Sequence, residues 1–288
     1  MLFRSLQVVV PPPPPVRELP RWDGHVWVRP GKLYMPPSFA PKEGTFDLIL
    51  HFHGDGDLVH QSVFSTKLNA LVHVTNLGTG SGPYESRFAV PGALDDLLKR
   101  IAAKSSEKVG EKLEVGRVAI TTWSAGYGAL SSLLSNEQTF ERIDAVLVLD
   151  GIHGGFAPEG QRKVHPLAIA PFVKFAEQAA AGNKLMMITH SAIPTSDYCS
   201  STESADAILA AVGAERRDVE GRSPPVVDLP VAIAAFPSRE RNWLNVRTEA
   251  QKGDFHVLGC SGNGKGDHIA HLAQMSVTVL PELEKRWR

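Results

Sequence analysis

One serine in the sequence is set among residues that suit a nucleophile. Ser124 follows an apolar, β-branched run from Val118 to Thr122, and a helical pattern of small and apolar residues follows from Gly128 to Leu134. A strand, a sharp turn with a serine at its tip and a helix form a nucleophile elbow, in which small neighbours relieve crowding. The usual pattern is G-x-S-x-G, but Thr122 takes the first glycine position, so the sequence reads T-x-S-x-G. An ordinary strand-to-helix turn with a surface serine is the alternative interpretation.

A serine hydroxyl needs a base to take its proton and an acid to hold the tautomer of that base. His268 follows a Gly-rich loop beyond the last predicted strand and is the first candidate for the base, with His271 one turn later in reserve. Asp150 closes the strand that comes after the serine strand, whereas Asp197 lies in the loop after the next strand. Asp150 is therefore the favoured acid and Asp197 the alternative acid.

These residues need a scaffold whose strands end at a common edge. Near-continuous apolar runs predict strands that are covered on both faces, and helical patterns alternate with them. The sequence therefore predicts an α/β fold, with a mainly parallel central sheet and helices on both faces. In such sheets chemistry collects at the carboxyl ends of the strands. The predicted strands are 25–29, 32–35, 46–53, 70–75, 118–122, 143–150, 184–189 and 255–259, and the predicted helices are 90–103, 128–134, 167–181, 201–212, 267–275 and the segment that ends at Trp287.

The order serine, carboxylate, histidine resembles that of the α/β-hydrolase superfamily, in particular its serine esterases and lipases, over roughly residues 45 to 288. The resemblance implies the α/β-hydrolase fold and the cleavage of a carboxylic ester, or less favourably an amide, through an acyl-enzyme. It makes Ser124 the nucleophile, His268 the base and Asp150 the acid. It implies no metal and no organic cofactor.

The same resemblance extends to the loop after the first central strand. A tetrahedral intermediate needs two donors aimed at the developing oxyanion. One expected donor is the backbone N–H of Ala125, the residue after the serine. His53-Gly54-Asp55-Gly56 is similar to the H-G-x-x loop of esterases, so the second expected donor is the backbone N–H of Asp55, with Gly54 next.

This loop also supports a rival interpretation. The pattern from His51 through His53 and Asp55 to Asp57 resembles the H-x-H-x-D-H zinc motif of metallo-β-lactamase-like hydrolases. Strand alternation would place the first three side chains on one side, as a zinc site requires. However, Asp57 stands where that motif has a histidine, and the alternating strands and helices differ from the β-rich segments of those enzymes. A zinc-dependent hydrolase is one alternative, and a hydrolase-fold binding protein without catalysis is another.

Composition limits the partners. A formal net charge of -1 gives no reason to expect nucleic acid or an anionic membrane as a partner. A membrane span would need about 18 consecutive apolar residues, and the sequence has no such run. We therefore expect a small-molecule or acyl substrate. The first residues do not form a signal peptide, so the cytoplasm is the default location, with secretion after removal of a signal as the alternative. The oligomeric state stays open.

We expect one domain over residues 1–288, with an extended Pro-rich segment at 1–20 around Pro11 to Pro15. Residues 221–254 are Pro- and Arg-rich and contain Trp243. They are expected to be irregular, either as a lid or substrate wall over the site or as a surface excursion.

Overall fold

The computed structural model describes residues 17–18, 24–36, 39–158, 162–224, 227–228 and 243–288. The prolines at 11–15 and residues 225–226 and 229–242 of the expected lid lie outside the described residues.

A ten-stranded sheet runs through the described part of the chain. The described residues form twelve strands in all, two of which lie outside this sheet: β1 Arg17–Glu18, β2 Val26–Val28, β3 Gly31–Tyr34, β4 Thr45–Phe52, β5 Ala70–Thr75, β6 Glu114–Trp123, β7 Ala145–Leu149, β8 Leu185–His190, β9 Arg217–Arg222, β10 Val227–Asp228, β11 Val246–Lys252 and β12 Phe255–Cys260. Their order in this sheet is β2-β3-β5-β4-β6-β7-β8-β12-β11-β9, and β1 pairs with β10 separately. The central strands from β5 to β12 pair in parallel, and the strands at both edges pair antiparallel. The predicted mainly parallel sheet is confirmed.

Helices cover both faces of this sheet. They are α1 Gly56–Phe64, α2 Gly82–Phe88, α3 Ala93–Val109, α4 Tyr127–Ser135, α5 Glu137–Arg142, α6 Pro166–Ala180, α7 Ser201–Val212, α8 Lys265–Ala273, α9 Met275–Thr278 and α10 Leu280–Trp287. Leu48 and Leu50 of β4 pack into one apolar core with residues of α2, α3, α4, α6 and α7. Ile49, between them, packs into a second core with residues of α1, α8, α9 and α10. Successive strand residues thus point to opposite cores, which explains why the strand sequences are apolar throughout.

Part of the segment 221–254 differs from the expected irregular chain. Residues Val246–Lys252 form β11, which pairs antiparallel with β12 on one side and with β9 on the other. Only Val246 and Ala250 of this strand are buried. The strand was missing from the prediction because most of its side chains meet solvent, so it has no apolar run that marks a buried strand.

The carboxyl ends of five neighbouring parallel strands, β4, β6, β7, β8 and β12, lie next to one another in the sheet. The segments that follow them begin at His53, Ser124, Asp150, Ser191 and Ser261. The fold therefore gathers the segments that carry the predicted chemistry at one edge. Within the described residues, no helix is long and apolar enough to cross a membrane.

Candidate functional site

Ser124 occupies a strained turn between a strand and a helix. Trp123 is extended, Ser124 has a φ of 48°, and residues 124–126 form a single 3-10 turn that leads into α4. A positive φ is uncommon for a residue other than glycine and is found most often where function requires it. Gly126 is essential to this turn, because a Cβ atom there would lie 2.0 Å from the carbonyl oxygen of Phe52. Thr122 is tolerated in the first position of the pattern because it still belongs to β6, where its side chain is fully buried.

Asp150 and His268 meet in a short hydrogen bond. The Nδ1 atom of His268 lies 2.7 Å from Oδ2 of Asp150. The other carboxyl oxygen of Asp150 accepts the backbone N–H of Ser191 at 2.8 Å and the hydroxyl of Ser201 at 2.6 Å. Burial opposes ionisation of this carboxyl group, but the charge of nearby His271 and the hydrogen bonds from His268 and Ser201 outweigh it and hold the pKa of Asp150 below its ordinary value. Asp150 is therefore a carboxylate at neutral pH and accepts the Nδ1–H of His268.

Both residues are held against the turn at Ser124. The indole Nε1–H of Trp123 donates to the backbone carbonyl of His268 at 3.0 Å, and the two rings stack with centroids 4.7 Å apart. Gly151, the residue after Asp150, packs against the turn: a Cβ atom on Gly151 would lie 3.0 Å from the carbonyl oxygen of Ser124. These contacts place Asp150 and His268 beside the turn that carries Ser124.

The other candidates for acid and base lie in different surroundings. Asp197 is exposed in the loop after β8, while the Nδ1 atom of His268 is bound to Asp150. His271 is fully buried, its Nδ1 atom lies 2.7 Å from the hydroxyl of Thr189, and burial lowers its pKa. The geometry therefore favours Asp150 over Asp197 and His268 over His271.

His51, His53 and Asp55 do not assemble into a metal site. The buried ring of His51 donates from Nε2 to the carbonyl oxygen of His53 at 2.6 Å and accepts at Nδ1 from the hydroxyl of Thr121 at 2.7 Å, which occupies both nitrogens. His53 has a φ of 70°, so it leaves the strand alternation on which the zinc interpretation depends. Asp55 instead caps α1, where its carboxylate accepts the backbone N–H groups of Asp57 and Leu58. Among the residues that the structure describes, no group of three or more His, Cys, Asp or Glu residues has the arrangement of a metal site.

The expected oxyanion donors differ in their availability. Gly54 donates its backbone N–H to the side chain of Asn76 at 2.9 Å, and Asn76 returns a bond of 2.7 Å to the Gly54 carbonyl oxygen. Because the N–H of Gly54 already donates to Asn76, Gly54 is less suited than Asp55 to be the second donor. Ala125 follows Ser124 directly in the 3-10 turn, and Asp55 is the last residue before α1. These two backbone N–H groups stay the predicted pair.

Sequence reasoning missed the residues that hold the site together. Ser191, Ser201 and Asn76 act through hydrogen bonds between segments that are far apart in the chain, and Trp123 acts through its contact with His268. A serine at the start of a helix is normally read as a cap, so Ser201 carries no sequence signal of its contact with Asp150.

A row of aromatic rings borders the site on the side of α4. The rings of Tyr127 and His153 meet edge to face with centroids 5.6 Å apart, and the ring of Tyr198 lies 5.0 Å from that of His153. The hydroxyl of Tyr127 also donates to the carbonyl oxygen of His153 at 3.0 Å. Burial lowers the pKa of His153, so its ring is neutral at pH 7. Tyr198 is 45% exposed and is the part of this row that solvent reaches most easily.

The sequence matches no protein-family model, and no curated protein matches it. The chain is similar in structure to a poly(3-hydroxybutyrate) depolymerase, LpqC, from Bordetella parapertussis, with 13% identity, a TM-score of 0.43 and coverage of 85% of this chain and 82% of that one. It is also similar to TT1662 from Thermus thermophilus, with 14% identity, a TM-score of 0.40 and coverage of 89% and 92%. For the enterobactin esterase FES from Shigella flexneri, the identity is 11%, the TM-score is 0.44 and the coverage is 90% and 56%. The mainly parallel sheet with helices on both faces and the strand, turn and helix around Ser124 have the layout of the α/β-hydrolase fold.

Proposed function

We propose that the protein is a serine hydrolase that cleaves carboxylic esters through an acyl-enzyme on Ser124. The observation that carries the proposal is the 2.7 Å hydrogen bond between His268 and the buried carboxylate of Asp150, next to a serine in a strained turn. A serine, an imidazole and a buried carboxylate in this relation are the three parts that nucleophilic catalysis by a hydroxyl requires.

In the proposed reaction, Nε2 of His268 takes the proton of the Ser124 hydroxyl as its oxygen attacks the ester carbonyl. The carboxylate of Asp150 keeps the other proton on Nδ1, so that Nε2 is free to accept, and stabilises the imidazolium that forms. The backbone N–H groups of Ala125 and Asp55 donate to the oxyanion. His268 then gives its proton to the leaving alcohol. In the second half of the reaction His268 takes a proton from water as the water attacks the acyl-enzyme, and it returns this proton to Ser124 as the acid leaves. An amide, with a poorer leaving group, is the less favoured substrate.

The aromatic row of Tyr127, His153 and Tyr198 suggests which part of a substrate the site accommodates. Burial lowers the pKa of His153, so that ring is uncharged at neutral pH, and the exposed ring of Tyr198 offers an apolar surface to a ligand. We expect the row to favour esters with an apolar or aromatic group on that side, since ring contacts add to the burial of apolar area.

Turnover of a short p-nitrophenyl ester tests the proposal. The wild-type protein should hydrolyse it, and Ser124→Ala and His268→Gln should each lose nearly all activity. Ser135→Ala is the matched control, because this serine is exposed at the far end of α4, the helix that follows the Ser124 turn. A chelator should leave the activity unchanged, whereas loss of activity on chelation would favour the zinc interpretation. No turnover by the wild-type protein on esters of several chain lengths would favour a binding protein.

A further inference from the structure

Asp150 is anchored by two donors that belong to other parts of the chain. The backbone N–H of Ser191, just after β8, and the hydroxyl of Ser201, at the start of α7, both donate to Oδ1. Oδ2 is left to face His268. A carboxylate that is held at one oxygen by two donors has little freedom to rotate about its Cβ–Cγ bond, so the other oxygen stays aligned with the imidazole.

The contact between Ser201 and Asp150 is out of reach of solvent. The exposed fraction is 3% for Ser201 and 2% for Asp150. Water cannot easily replace a hydrogen bond that is lost at such a place, and a charged acceptor makes the loss larger. Ser201 is the first residue of α7, so the positive end of the helix dipole lies near the carboxylate.

The helix does not need the Ser201 hydroxyl for its own cap. Ser200 is the N-cap: its hydroxyl accepts the backbone N–H of Glu203 at 3.2 Å, and the Glu203 carboxylate accepts the backbone N–H of Ser200 at 2.8 Å. The two adjacent serines therefore have different roles: Ser200 caps the start of α7, and Ser201 donates to Asp150.

We propose that Ser201 is a positioning residue for the reaction at Ser124, which it serves by fixing the carboxylate of Asp150 toward His268. This inference rests on the proposed function. It predicts that the hydroxyl of Ser201 affects the chemical step and not substrate binding, and that it does so only while residue 150 is a carboxylate.

The test compares Ser201→Ala with Ser200→Ala in the wild-type protein and in Asp150→Asn. Ser201→Ala should lower kcat about tenfold with KM unchanged within about twofold, since a hydrogen bond to a charged group is at stake. Ser200→Ala should lower the melting temperature and leave kcat within about twofold, because it removes only the cap. In the Asp150→Asn protein, Ser201→Ala should cause less than about a twofold further change in kcat, since no carboxylate remains at residue 150 to be aligned with His268.

A second measurement is independent of turnover. The proton NMR signal of the His268 Nδ1–H should be sharp in the wild type and in Ser200→Ala, and broadened by exchange in Ser201→Ala. The inference is overturned if Ser201→Ala keeps wild-type kcat, if it causes the same loss in the Asp150→Asn protein, or if it unfolds the chain, since its role would then be structural. If no variant or wild-type protein shows activity that depends on Ser124, the proposed function itself fails and this inference fails with it.

Discussion

Replacing Asp150 by asparagine separates the proposed acid from its alternative. The change keeps the size of the side chain but exchanges one acceptor oxygen for an NH2 donor. Oδ1 accepts from Ser191 and Ser201 at 2.8 and 2.6 Å, so the amide oxygen will stay on that side and the NH2 group will face His268. The Nδ1 atom of His268 must then accept a hydrogen bond, which moves the ring proton to Nε2, where it blocks proton transfer from Ser124.

The wrong tautomer at a serine-hydrolase histidine lowers kcat by about 10⁴-fold, which corresponds to about 5.5 kcal/mol of transition-state stabilisation. The assay is the steady-state hydrolysis of a p-nitrophenyl ester by Asp150→Asn, with Asp197→Asn as the matched control. Asp197 is exposed, so its variant should keep kcat within about twofold. A large loss in Asp197→Asn together with a small loss in Asp150→Asn would refute the assignment of the acid.

Three further predictions concern the turn, the pH dependence of stability and the substrate. Gly126→Ala should lower the free energy of unfolding, measured in urea, by about 3 kcal/mol, because its Cβ atom would lie 2.0 Å from the Phe52 carbonyl oxygen. Gly155→Ala is the control: its Cβ atom would have nothing within 4 Å, so it should change the free energy of unfolding by less than about 0.5 kcal/mol. Burial lowers the pKa of His51 to about 3 in the folded protein. Between its ordinary value and that pH only the unfolded chain takes up this proton, so His51 should reduce the stability by about 1.4 kcal/mol per pH unit as the pH falls through this window. A denaturation series that shows stability constant or rising from pH 6.5 to 4.5 would contradict this. Tyr198→Ala should raise KM for a phenyl ester several-fold and leave KM for a short alkyl ester unchanged, with Tyr198→Phe close to wild type; equal effects on both esters would remove the aromatic row from substrate recognition.

The central sheet is predictable because its strands are buried on both faces. In β4, for example, Leu48, Ile49 and Leu50 alternate between two cores, so no polar residue interrupts the run that the sequence shows. The strand β11 meets solvent with most of its side chains and lacks such a run. The helices α1 and α2 were missed because they begin at glycines, Gly56 and Gly82, in stretches that resemble loops.

For the site, sequence order predicts Ser124, Asp150 and His268 at neighbouring strand ends, and the structure bonds His268 to Asp150 at the sheet edge that carries the Ser124 turn. What sequence cannot supply is the use of each backbone group. Gly54 has the right position for an oxyanion donor, but the side chain of Asn76, from another strand end, already binds its N–H. The structure disfavours the zinc interpretation of His51 for a similar reason, since Thr121 and the carbonyl oxygen of His53 occupy both of its ring nitrogens.

The central claim is that Ser124 is a nucleophile, and covalent labelling tests it most directly. The protein is treated with a fluorophosphonate, its intact mass is measured, and the modified peptide is identified by fragmentation. If Ser124 is the nucleophile, the wild type gains one phosphonyl group on Ser124 and Ser124→Ala gains none. An unlabelled wild-type protein, or a label that persists in Ser124→Ala, would contradict it.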